Sequence, residues 1–203
     1  MRDPKNLKQK KPDIQTLSPD AVWTIFPAFS ETECRDWIAQ AEKAGFEQAG
    51  IEGPGGHRLR TEVRNNARLE IESPEWLAVL WGRIGKLVPE VDECQPLGAY
   101  RKLRFYRYQP GERFNLHTDG FKLGDRPGER SRLTCMVYLN DDFEGGRTWF
   151  PELDVRVEPR TGMVLLFRHL LSHAGETVLA GTKYVLRADL LYQAQAGRED
   201  EEE

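Results

Sequence analysis

Apolar positions along the chain change their period partway through. In the first half they recur at helical spacing. Ser30 followed by Glu33 forms a capping box, after which Cys34, Trp37, Ile38 and Ala41 share one face until Gly45 stops the run, predicting a helix over 31–44. Ser73-Pro74-Glu75 marks a second helix start, with proline at the first helical position and Trp76, Leu77, Leu80, Trp81, Ile84 and Leu87 as its apolar stripe before Pro89. Tryptophans at that spacing are core residues. From Tyr100 onward the chain breaks into short runs rich in β-branched and aromatic residues, separated by Gly, Pro, Asn and Asp. Strands are predicted at 100–108, 132–139, 147–150, 154–157, 163–167 and 183–192. Helices followed by many short strands describe an α+β chain in which N-terminal helices brace a sandwich, jelly roll or barrel. The mouth of such a barrel is a usual place for a ligand pocket.

Composition narrows the setting. A length of 203 residues suits a single domain with one sizeable core. The formal net charge of −4 arises from 29 basic and 33 acidic residues mixed along the chain, so neither nucleic acid nor a membrane is an expected partner. Cys34, Cys94 and Cys135 are odd in number and widely spaced, without a CxxC, which argues against a disulfide framework or a cysteine-based zinc site and fits a reducing compartment. The N-terminus is charged, and no run of about 18 apolar residues occurs, so a soluble, cytoplasmic protein is expected. Residues 1–15 lack periodicity and 196–203 form an acidic run; both are expected to be disordered tails. That leaves one domain over 16–195, with helical support in 16–99 and a β core in 100–195. No internal repeat is present, and the oligomeric state leaves no trace in the sequence.

The chemistry centres on His117, Asp119 and His173. His117 and Asp119 are two apart, so on an extended segment both side chains face one side, and His173 reaches them from another strand. Two imidazoles and one carboxylate suit Fe(II), while Zn(II), Mn(II) and Ni(II) accept similar sets, so the three residues alone leave the metal open.

Context supplies more. The stretches RFYRYQPGERFNLHTDG, RLTCMVYLNDDFEGGRTWFPE and TGMVLLFRHLLSHAGETVLAGTKYVLRADLLY resemble, in order and spacing, the Fe(II)/2-oxoglutarate dioxygenases of the prolyl 4-hydroxylase-like group. The resemblance covers roughly residues 100–192 and implies a double-stranded β-helix, or jelly roll, with His117, Asp119 and His173 as iron ligands. It implies Fe(II), 2-oxoglutarate and O2 as cofactor and cosubstrates, with ascorbate as a stimulant. It matches Lys183 to the cation that pairs with the far carboxylate of 2-oxoglutarate, Tyr138 to a tyrosine bonding the same carboxylate, and Tyr108 to another tyrosine of that pocket. A dianionic keto acid needs a buried cation at one end and a metal at the other. Arg187, four residues beyond Lys183 on the same strand face, either shares that task or pairs with Asp189. His57 and His169 match no motif position and are assigned surface or structural roles. The implied reaction is decarboxylation of 2-oxoglutarate to succinate coupled to hydroxylation of a substrate. Related halogenating enzymes have a small residue where Asp119 stands, so hydroxylation is favoured.

The substrate side departs from peptidyl-proline hydroxylases. Phe114 replaces a tyrosine that contacts the target proline, Asp189 a tryptophan, and Ser131 an arginine, which puts peptidyl proline in doubt. Arg104, Tyr106 and Tyr108 alternate toward one face, and Arg64, Asn65, Asn66 and Arg68 lie on a loop or edge strand. If both groups converge on the cavity, an anionic or amide-bearing substrate follows, either a small molecule or a protein side chain; otherwise they form a solvated basic edge. The Gly- and charge-rich segment from Phe121 to Arg130 is a candidate lid. A cupin-like metal- and ligand-binding module without turnover is the alternative reading. A zinc hydrolase would lack a general base, since Asp119 is used as a ligand.

Overall fold

The capping box forms as its spacing predicts: Ser30 Oγ accepts from the Glu33 amide at 3.2 Å, and Glu33 Oε2 accepts from the Ser30 amide at 2.7 Å. The helix it opens runs over Glu31–Ala44, and the second begins at Pro74 with Ser73 as its cap. The second ends at Ile84, short of the predicted stripe's last member, Leu87. The computed structural model describes residues 11–49, 51–53, 56–58 and 63–193. In chain order its elements are β1 (Asp13–Ser18), β2 (Val22–Phe26), α1 (Glu31–Ala44), β3 (Glu47–Gln48), β4 (Ile51–Gly53), β5 (Gly56–Arg58), β6 (Ala67–Glu72), α2 (Pro74–Ile84), β7 (Pro96–Ala99), β8 (Lys102–Tyr108), β9 (Phe114–His117), β10 (Glu129–Tyr138), β11 (Glu144–Gly145), β12 (Thr148–Phe150), β13 (Val155–Val157), β14 (Val164–Arg168), β15 (His173–Gly175), β16 (Val178–Ala180) and β17 (Lys183–Gln193).

A large antiparallel sheet runs in the order β1-β2-β14-β10-β17-β8-β6-β3, with β7 also on β17; a smaller one runs β13-β12-β15-β9. The large sheet is covered on both faces, and its period-2 alternation separates two cores. Leu103, Phe105, Leu133, Cys135, Val137, Leu186 and Ala188 point to the side where Trp37, Ala41, Leu80 and Ile84 of the helices pack. Tyr106, Tyr108, Tyr138, Leu165, Phe167 and Val185 point the other way, toward Phe150 and Val157 of the small sheet. Burying side chains of this size contributes about 1.5–3 kcal/mol each, so the helix-side core anchors the sheet whose other face carries the site. This is the mostly antiparallel, helix-braced plan of a double-stranded β-helix.

One expectation is corrected. The first half is not only helical support, because β1, β2, β6 and β7 extend the large sheet, and β1 already begins at Asp13 inside the segment expected to be a tail. β1 is half-exposed, so Ile14 and Leu17 stand among polar residues and show little apolar alternation. β6, ARLEIE, does alternate, and its charged positions had pointed to a loop or edge. Residues 1–10 and the acidic run 196–203 lie outside the described residues. All three cysteines are free and buried, and burial pushes the Cys34 thiol up to about 12. Among the described residues no helix is long and apolar enough to cross a membrane.

Candidate active site

Strands β9 and β15 pair antiparallel in a register that sets His117 directly opposite His173. Past β9 the chain turns, and the Asp119 amide donates to the His169 carbonyl at 2.7 Å, which carries the Asp119 carboxylate to the same centre. His117 Nε2 lies 3.8 Å from Asp119 Oδ1, His173 Nε2 lies 3.7 Å from Asp119 Oδ2, and the ligating atoms of the three residues all fall within 4.8 Å of one another.

The protonation states suit a metal. Each histidine donates Nδ1–H to a backbone carbonyl two residues earlier, His117 to Asn115 at 2.8 Å and His173 to Leu171 at 2.9 Å, since a carbonyl only accepts. That fixes the tautomer and turns both Nε2 lone pairs inward. Burial lowers both histidines, His117 to about 3 with help from the neighbouring His173, so both are neutral. Burial alone would push the Asp119 carboxyl up, but the Arg187 guanidinium, with the Thr134 hydroxyl, outweighs it and holds the group well below the usual carboxylate range. Two neutral imidazoles and one ionised carboxylate, all oriented from behind, fit a divalent iron.

Behind Asp119 stands a chain of hydrogen bonds whose directions follow from the donors available. Thr134 Oγ1 donates to Asp119 Oδ2 at 2.6 Å and therefore accepts from His169 Nδ1 at 2.9 Å. His169 Nε2 then accepts from Ser131 Oγ at 2.7 Å, and Ser131 Oγ accepts from the Lys122 amide at 2.8 Å. Burial lowers His169 to about 4, which keeps it neutral for this role. His169 is thus structural and buried, not on the surface. Its part was missed because no motif marks it; the Ser131 substitution was the available signal. The other Asp119 oxygen accepts from Arg187 at 2.6 Å.

Lys183 belongs to a buried cluster: its Nζ donates to the Gly146 carbonyl at 2.5 Å and sits 5.4 Å from the ring centres of both Tyr108 and Tyr138. The Tyr138 hydroxyl is hydrogen-bonded to Thr148 Oγ1 at 2.7 Å. Gly146 has φ +65°, and a Cβ there would approach Lys183 Cδ to 3.2 Å, so glycine lets the backbone come this close. Burial lowers Lys183 to about 7, with only the distant Glu176 and Glu158 opposing that shift. Lys183, Tyr138 and Tyr108, the three residues matched to 2-oxoglutarate, are therefore together and buried.

Arg187 is not with them. It bonds Asp119 and, at 2.9 Å, Asp189, so of its two expected roles the pairing with Asp189 is the one formed in place of a share in the work of Lys183. Residues i and i+4 of a strand share a face but stand roughly 13 Å apart along it. An open cavity of about 730 Å³ borders His117 and Asp119, and Arg187 is part of its lining. Of the residues named for the substrate side, Arg64, Arg68, Arg104, Tyr106 and Phe114 line it. Asn66 does not; it is buried, accepting from Arg64 Nε at 3.0 Å and donating to the Ala67 carbonyl. The loop 118–128 contributes Thr118, Gly120 and Lys122 to the rim and leaves Phe121 and Leu123 exposed, in keeping with a lid position. His57 lies where side chains are outside the described residues.

Residues 103–188 match the family described as the 2OG-Fe(II) oxygenase superfamily. A protein of Acanthamoeba polyphaga mimivirus with the provisional description prolyl 4-hydroxylase is 32% identical over 108 residues, 44% of each chain. A PKHD-type hydroxylase of Crocosphaera subtropica is 32% identical over 88 residues, 41% of this chain and 40% of that one. In both cases the match spans less than half of the relative's length. In structure, a viral collagen prolyl hydroxylase from Paramecium Bursaria Chlorella virus-1, solved with 2OG, superposes with a TM-score of 0.65 over 84% of this chain and 96% of its own at 22% identity, a likeness of fold. Over residues 103–188 the chain is thus similar to the 2OG-Fe(II) oxygenase superfamily, its sequence matches include proteins described as prolyl 4-hydroxylase and PKHD-type hydroxylase, and its fold is that of a prolyl hydroxylase structure. Fe(II) and 2-oxoglutarate are the metal and cosubstrate that this family match and the donor set imply.

Proposed function

We propose that the chain is an Fe(II)- and 2-oxoglutarate-dependent dioxygenase that hydroxylates an organic substrate while 2-oxoglutarate is decarboxylated to succinate. The observation that carries the reading is the presence, beside the His117–Asp119–His173 centre, of a buried cation among tyrosines, Lys183, that has no carboxylate within ion-pair distance among the described residues. Iron, when bound, would activate O2, which is the oxidant; 2-oxoglutarate would supply two of the four electrons that reduce O2, on decarboxylation to succinate, and the substrate C–H the other two. The protein's own residues bind and orient. Lys183 meets the far carboxylate of the keto acid, Tyr108 and Tyr138 wall that end from water, and Thr134 and Arg187 hold the Asp119 carboxylate by one oxygen each. The substrate enters by the open cavity, so its reacting carbon and the keto acid approach the centre from different sides.

The test is succinate formation by anaerobically purified protein supplied with Fe(II), ascorbate, 2-oxoglutarate and O2. Succinate well above the level of a His117→Ala variant supports the reading. Equal, background levels in both across a broad substrate panel, with the keto acid still bound, would favour the cupin-like binding module.

A further inference from the structure

Arg64 is held in an unusual way for a buried cation. Its backbone bridges to Phe114 at the edge of the small sheet, and its guanidinium lies 4.1 Å from the Phe114 ring centre and 4.8 Å from that of Tyr106. Phe114 in turn stacks on His117, with ring centres 3.5 Å apart and planes 14° from parallel. A single ring, Phe114, thus separates the guanidinium from a metal-ligand candidate. It is 4% exposed, Nε is taken by Asn66, and Nη2 is buried without a hydrogen-bond partner. Its neighbours in the cavity differ in having carboxylate partners: Arg187, whose Nε is also unpartnered, places both terminal nitrogens on Asp119 and Asp189, and Arg104 bonds Asp189 and Glu70, whereas Arg64 has no ion pair among the described residues. Leaving a buried charged donor unpaired costs on the order of 1–3 kcal/mol or more, so the arrangement makes physical sense if an anion completes it. A second cation points the same way: Lys122, half-buried on the rim of the cavity, has no ion pair among the described residues.

We propose that Arg64 anchors a carboxylate of the substrate, with Lys122 as an outer contact, so that the substrate class is small organic acids, free amino acids included. A planar fork stiffened by two aromatic faces is suited to a carboxylate. A cavity of about 730 Å³ is of small-molecule size. The anionic end sits beside His117, and the rest of the molecule extends toward Arg104 and Glu70. This rests on the dioxygenase reading above.

The test is calorimetric binding to full-length protein loaded with Mn(II) and saturated with 2-oxoglutarate. The probes are C3 to C6 carboxylic acids and free L-amino acids, each beside its carboxamide, and in a second arm blocked peptides bearing Asp or Glu. At least one free acid should bind about tenfold or more tightly than its carboxamide. Arg64→Met should erase that preference and Lys122→Ala should weaken acid binding severalfold, both keeping 2-oxoglutarate affinity within about twofold. Lys122→Ala, at a rim position, keeps the proposal testable if Arg64→Met folds poorly. The proposal is overturned if no acid is preferred to its amide, if Arg64→Met weakens 2-oxoglutarate as much as the acid, or if only the acidic peptides bind. If the wild-type protein with Mn(II) binds no 2-oxoglutarate, the dioxygenase reading itself has failed.

Discussion

Lys183 and Arg187 leave the same face of β17 four residues apart, and the protein treats them in opposite ways. Lys183 is enclosed by two tyrosine rings and a backbone carbonyl, and burial brings it down to about 7. Arg187 is buried as deeply, yet Asp119 and Asp189 overcome the burial and raise it well above its ordinary value. Arg187 has its charge met by carboxylates within the fold; Lys183 is left to meet an anion from outside. The difference teaches that strand-face periodicity brings charges to a site without saying which are for ligands. The supply of internal carboxylates decides that.

Breaking the saturated side should have the largest effect. Arg187→Met takes the cation from Asp119 and one of two arginines from Asp189, and stability should fall by about 3–5 kcal/mol, measured by urea unfolding of the metal-free protein. Breaking the other side should move binding: Lys183→Ala should weaken 2-oxoglutarate by about 2–5 kcal/mol at saturating Mn(II), with metal affinity retained. Thr134→Val removes a donor from Asp119 and should lower Mn(II) affinity roughly 10- to 100-fold, read by metal titration. The smallest effect is on pH. Free Lys183 loses its proton near pH 7 and the bound carboxylate needs it charged, so above that pH 2-oxoglutarate binding should take up a proton and weaken by at most about tenfold per unit. Calorimetry in buffers of different ionisation enthalpy reads this directly. Stability carries the opposite sign. Between about 7 and the ordinary 10.5 the unfolded chain binds the extra proton, so the Lys183 contribution to stability rises with pH across that window and is absent in Lys183→Met.

Much of this was legible in the chain. The capping box, the proline-led second helix and the six core strands depend on local spacing, and they form within a residue or a few of the predicted ends. His117 and Asp119 were readable as a pair because they sit two apart, and Lys183 because it follows His173 at a family interval. What stayed hidden is non-local. The His117–His173 register depends on two short strands of the small sheet, and the Ser131–His169–Thr134 chain joins residues 38 and 35 apart. Asp189, seen as a departure, is the buried carboxylate that binds both Arg104 and Arg187, a role that requires knowing that β17 and β8 are neighbours. Arg64 showed only as a charge in a basic stretch; its sandwich between Tyr106 and Phe114 needs strands from three parts of the chain.

The central claim is that Lys183, and not Arg187, receives the far carboxylate of the keto acid. The most direct measurement compares 2-oxoglutarate with 2-oxopentanoate, which has a methyl group in place of that carboxylate, by calorimetry on Mn(II)-saturated wild type and Lys183→Met. The wild type should prefer 2-oxoglutarate by about 30-fold or more, and Lys183→Met should bind the two alike. A preference that survives intact in Lys183→Met would contradict the account.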